Sequence, residues 1–113
     1  MFGNFAGYKK AMELTLLPDL FDAATAQRLG LVNWVVPAAE LPARTQQLSA
    51  RLGQGATRAY AEAKRLLNQS LERSLETQME QELQAFARCA VTEDLAEGVA
   101  AFVEKRKAAF KGK

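Results

Sequence analysis

The chain has 113 residues, enough for one modest domain and too few for two of ordinary size. Hydrophobic residues make up 49% and charged residues 25%, an ordinary globular balance. A net charge of +2 falls short of the concentrated basic surface of a nucleic-acid binder, the single cysteine, Cys89, excludes an intrachain disulfide, and the absence of histidine excludes imidazole catalysis and imidazole metal ligation.

Residues 1 to 4 read as a lead-in. From Phe5 to Leu16, Tyr8, Ala11, Met12 and Leu16 recur at helical spacing, with Lys9, Lys10 and Glu13 opposite. Those charges also break the layout of a signal peptide, no apolar run approaches the ~18 residues of a membrane span, and cytoplasm is the expected compartment. Pro18 is expected to end the first helix, because the residue before a proline is pushed out of the α region. Asp22 is a candidate N-cap for a short helix from Ala23 to Leu29, and Gly30 the left-handed stop after it. Leu31 to Val36 is short, apolar and β-branched, and Pro37 closes it. A lone strand leaves its backbone groups unpaired, so the segment is either extended within a loop or paired with something outside the chain.

A helix is expected from Leu41 with Pro42 in its first turn, stopping near Gly53 or Gly55. The next runs from Thr57 to about Asn68, with Tyr60, Ala63, Leu66 and Leu67 expected inward. After Gln69-Ser70 the longest helix should run from Leu71 to Ala90, with the stripe Leu71, Leu75, Met79, Leu83, Phe86, Ala90. Thr92 or Asp94 is the candidate cap of a final amphipathic helix, whose stripe is Leu95, Val99, Phe102 and Val103. Residues 72 to 97 carry −5 and residues 105 to 113 carry +5, so an acidic helix and a basic tail can satisfy each other within one chain or between chains.

No complete active site emerges from these residues. Glu76, Glu80 and Glu82 sit on a helix surface without the partners a metal or acid–base pair requires. Cys89 stands one residue off an apolar stripe and reads as a packed small side chain. The Gly53-Gln54-Gly55 run is a helix–helix turn, not a phosphate loop, and Trp34 reads as core. Lys105, Arg106 and Lys107 are the one cluster able to grip phosphate, against the alternative of a solvated lysine tail.

Four blocks taken together look familiar: G-Y-K-K-A-M-E-L-T-L-L, then F-D-A-A-T-A-Q-R-L-G-L-V-N-W-V-V-P, then A-K-R-L-L-N, then E-D-L-A-E-G-V-A-A-F-V-E-K-R-K-A-A-F-K-G. In that order they resemble the carboxy-terminal portion of the enoyl-CoA hydratase/isomerase (crotonase) family. The resemblance implies an all-α fold of about six helices and one short extended segment, the C-terminal helical oligomerisation domain, with the spiral ββα core missing. It divides the chain into a core-linking segment, 1–36, and a helical domain, 37–113. Pro18 stands where many members have glycine, and Ala108 where many have proline.

The family's oxyanion hole and acid/base glutamates lie in the missing core, so the resemblance implies no catalytic residue and no turnover here. The chain then reads as a truncated, proteolysed or separately expressed end domain. It implies a parent acting on acyl-CoA thioesters, with CoA as part of the substrate, no further cofactor and no metal. Implied partners are that substrate and copies of itself, as a trimer or dimer of trimers in the parent, with neither nucleic acid nor membrane. By the family's motif, Phe86 and Lys105 are the candidate contacts to the adenine and phosphate end of CoA. A stand-alone, self-associating helical module is the competing reading.

Overall fold

The structure is a computed structural model, and it describes residues 6–17 and 19–113. Among the described residues six α-helices follow one another: α1 (Tyr8–Leu16), α2 (Ala23–Arg28), α3 (Leu41–Gly53), α4 (Thr57–Gln69), α5 (Leu75–Ala90) and α6 (Glu93–Val103). A 3-10 turn, Ala38–Glu40, leads into α3 and was not anticipated from the sequence. The described residues contain no strand. Leu31 to Val36 is irregular and forms no ladder with any other described residue. Two compact units divide the chain, one running to Ala43 and the other Arg44–Lys113.

In the first unit α1 ends at Leu16, and Leu17 is extended (φ −114°, ψ 93°), as a residue preceding a proline should be. Pro18 itself, and the expected helical start at Phe5, lie outside the described residues. Asp22 caps α2 as expected, its Oδ1 accepting the Thr25 N–H at 2.8 Å. At the other end the Leu31 N–H reaches the Ala26 carbonyl and the Gly30 N–H the Gln27 carbonyl, both at 3.0 Å. This is a Schellman closure, with Gly30 at the left-handed position (φ 73°).

The second unit is organised on an antiparallel pair, α4 and α5. Glu62 meets Arg88, while Arg65 meets both Glu62 and Gln81, so residue numbers rise along one helix as partners fall along the other. The Glu62 carboxyl lies between Arg65 (2.8 Å) and Arg88 (2.9 Å), and their hydrogen bonds pull its pKa down to about 2. Helix α5 starts at Leu75, four residues later than its stripe suggests, because Ser74 takes the N-cap and accepts from the Thr77 N–H. Leu71 therefore belongs to the turn.

Burial corrects the sequence reading more than the helix boundaries do. The α5 stripe does not face a core of this chain. Leu75, Met79, Leu83 and Phe86 are 71, 62, 69 and 64% exposed. Tyr60 and Leu67 on α4 and Trp34 are exposed against the expectation that they face inward, and Val99, Phe102 and Val103 of the α6 stripe are exposed as well. Among the described residues the buried apolar side chains are only Ala85 and Ala101, small residues where elements approach closely. The periodicity was real, but it marks which face must be covered, not what covers it. Cys89 is half-buried.

Candidate functional site

The residues of interest cluster around α6 and the segment that follows it. Thr92 joins α5 to α6: its hydroxyl donates to the Cys89 carbonyl at 2.7 Å and accepts the Leu95 N–H at 3.2 Å. Glu93 and Asp94 follow in the first turn, where negative charge complements the helix dipole. Asp94 has a second task. It is 4% exposed, and its two carboxylate oxygens accept the backbone N–H groups of Lys111 (2.7 Å) and Gly112 (2.9 Å). Its own N–H donates to the Lys113 carbonyl at 3.1 Å. Residues 104 to 113 are thus folded back along α6, where the sequence alone suggested a helix continuing into a loose basic tail.

That return is guided at three further points. Glu97 Oε1 accepts the Ala109 N–H at 2.7 Å. The Phe110 ring lies over Gly98, where an added Cβ would stand 3.4 Å from it. Gly112 (φ 73°) passes so near Thr57 at the start of α4 that a Cβ would come within 2.6 Å of the hydroxyl. Between α6 and the returning segment lies an open groove of about 580 Å³, bordered by Asp94, Glu97, Ala100, Arg106, Ala109 and Lys111.

The reversal itself is a second Schellman closure. The Arg106 N–H bonds the Ala101 carbonyl at 3.0 Å and the Lys105 N–H the Phe102 carbonyl at 3.3 Å. The left-handed position, held by Gly30 at the end of α2, is here held by Lys105, with φ 54°. It is the sole non-glycine residue with positive φ among the described residues. A side chain in that conformation costs about 1–2 kcal/mol from the clash of Cβ with the following carbonyl.

Arg106 closes the turn from below. It donates through Nε to Glu104 Oε2 at 2.5 Å, and through its two terminal nitrogens to Glu97 at 2.6 and 2.9 Å. The guanidinium, together with the Ala109 N–H, brings the Glu97 carboxyl down to about 2, and the two glutamates push Arg106 further up. Arg106 is therefore spent within the protein. The phosphate-gripping trio expected from the sequence loses its middle member, while Lys105 remains exposed, its ammonium without a hydrogen-bond or ion-pair partner among the described residues.

Phe86 stands on the exposed stripe of α5, one turn before the helix ends. It is not a core residue, and no hydrogen bond or ring contact joins it to Lys105. No group of three or more Cys, Asp or Glu among the described residues is arranged to hold a metal. No described helix is long and apolar enough to cross a membrane.

A family model described as Enoyl-CoA hydratase/isomerase matches residues 1–113. The chain belongs to the enoyl-CoA hydratase/isomerase family. The "Probable enoyl-CoA hydratase" of Mycobacterium tuberculosis (strain CDC 1551 / Oshkosh) is 39% identical over 104 residues, covering 92% of this chain and 40% of that protein. The 2,3-dehydroadipyl-CoA hydratase of Escherichia coli (strain K12) is 36% identical over 107 residues, 95% of this chain and 42% of that one. The solved enoyl-CoA hydratase from Bacillus anthracis superposes with a TM-score of 0.90 at 29% identity, over 98% of this chain and 43% of the other. The chain thus spans about 40% of the length of the curated relatives it matches. The helices described above are the C-terminal helical portion of the crotonase fold.

Proposed function

We propose that this enoyl-CoA hydratase/isomerase family chain is the assembly and CoA-contacting portion of an enzyme acting on acyl-CoA thioesters, and that it is inert as a catalyst by itself. The observation that carries the CoA contact is Lys105: a solvent-facing ammonium with no internal partner, held at a backbone position that glycine would occupy at lower cost. A lysine point charge on a flexible stem suits a phosphate. Phe86, an exposed ring on α5, supplies the apolar surface on which an adenine could lie.

The chemistry of the family needs groups that stabilise an enolate at the thioester, and the described residues offer no such pair of donors beside an acid or base. Purified chain should give no turnover of crotonyl-CoA, and measurable hydration would sink the proposal. CoA titrated into isotope-labelled chain should move the amide signals of Lys105 and Phe86 first; shifts confined elsewhere would remove both residues from the contact.

A second reading is favoured by one observation, the exposed stripe Leu75-Met79-Leu83-Phe86. A continuous apolar face of this kind is rarely left to water, and a second copy of the chain carries the same face. On that reading the chain self-associates as a helical module. A monomeric mass across the accessible concentration range would argue against it.

A further inference from the structure

We infer that Glu97 and Arg106 are positioning residues for the Lys105 ammonium, fixing the root of its side chain ahead of any phosphate ligand. The inference rests on the CoA reading above for the identity of that ligand, and on geometry for the rest. Lys105 lies between Glu104 and Arg106, and these two are ion-paired to each other. The backbone between them turns at the positive φ of Lys105, so the pair closes the base of a turn whose apex is Lys105. Arg106 is in turn locked bidentately to Glu97, two helical turns before Glu104, and the same Glu97 carboxylate holds the Ala109 N–H. The chain is therefore tied down before the apex by α6 and after it by Glu97. Among the described residues nothing holds the Lys105 side chain itself.

The contrast with Gly30 shows why such a device is needed. At Gly30 the same closure forms from a residue that enters the left-handed region freely. At Lys105 the closure works against the side chain, and without the ion pairs the backbone would relax toward negative φ and swing the lysine stem elsewhere. Two glutamates and an arginine thus restrain a residue whose side chain carries no bond of its own among the described residues. The lysine begins from a fixed origin, so less freedom is lost when its ammonium meets a phosphate.

The test uses the 113-residue chain, adenosine 3′,5′-bisphosphate as the probe, and NMR as the readout. The strong intraresidue Hα–HN NOE of a left-handed residue reports Lys105 directly. In Glu97→Gln that NOE should weaken, and probe affinity should fall about 2- to 10-fold, the loss expected for one long side chain that must be ordered on binding. In Lys105→Ala affinity should fall at least as far, and adding Glu97→Gln to Lys105→Ala should lower it no further, since a positioning residue acts only through what it positions. The amide signals of α4 and α5 report folding in each variant, and Glu104→Gln, which removes only the base of the turn, repeats the test if Glu97→Gln disturbs them. An equal loss on adding Glu97→Gln to either background overturns the inference, as does an unchanged affinity in Glu97→Gln. An unchanged affinity in Lys105→Ala, or no binding by the wild-type chain, overturns the CoA reading itself and the inference with it.

Discussion

Asp94 and Gly112 are eighteen residues apart in sequence and 2.9 Å apart in the structure, the carboxylate of the first accepting the backbone N–H of the second. The same side chain takes the Lys111 N–H at 2.7 Å, so one buried acid near the start of α6 anchors the end of a segment leaving that helix's other end. A charged acceptor satisfying two amides is among the stronger polar contacts available to a chain with so little core.

Asp94→Ala should release this segment. Two buried amides lose their acceptor, and the expected cost is about 1.5–3 kcal/mol, measured by urea unfolding of the purified chain. The sharper readout is amide exchange: Lys111 and Gly112 should lose protection while α4 and α5 keep theirs. Unchanged protection at both positions would show that the anchor lies elsewhere.

Lys105→Gly should raise stability and weaken binding at once. Relief of the left-handed strain is worth about 1 kcal/mol, the Cβ penalty less the entropy that glycine loses on folding. Urea unfolding should show the gain, and titration with CoA the loss. A destabilised Lys105→Gly chain would mean that the lysine stem packs usefully where the structure shows it exposed.

The pH dependence follows from two carboxyls. Glu62 and Glu97 both sit at about 2, well below the ordinary glutamate value, because arginines hold their ionised forms. A carboxyl depressed on folding contributes stability that is complete above its unfolded value and is lost as pH falls toward its folded one. The window therefore runs from about 4.5 down to about 2. Across it the Ala109 amide should lose protection as Glu97 protonates, and the α4–α5 pairing should loosen as Glu62 does. In Glu97→Gln the acid transition at Ala109 should vanish.

Leu83→Glu places a charge in the middle of the α5 stripe. If that face mediates contact between copies, the weight-average mass in sedimentation equilibrium should fall toward the monomer with helix content retained. An unchanged mass would exclude the stripe from self-association. Phe86→Ala should have a smaller effect on mass and a larger one on CoA affinity, and this separates the two uses of the face.

The helices themselves were readable because their signals are local. Asp22, Gly30, Pro42, the Gly53–Gly55 turn and Thr92 act within a few residues of themselves, and each does in the structure what its chemistry requires. The resemblance of the four blocks to the enoyl-CoA hydratase/isomerase family rests on sequence in the same way. What periodicity could not supply is the identity of the surface opposite each stripe. Spacing identifies an apolar face, and Leu75, Met79, Leu83 and Phe86 stand exposed on theirs.

Glu97 and Arg106 mark the boundary most clearly. Nine residues on a continuous helix correspond to two and a half turns, which sets the two side chains on opposite faces roughly 13 Å apart along the axis. Read as a helix running on through the basic tail, they would never meet. The chain instead reverses at Lys105, the return is held by Asp94 and Glu97, and the two charges close to 2.6 Å. The sequence by itself determined the helices, their caps and the family. Only the tertiary structure decided that the basic segment folds back, which of its cations is consumed in doing so, and which are left facing solvent, because those outcomes depend on one residue's left-handed φ and on contacts nine to eighteen residues apart.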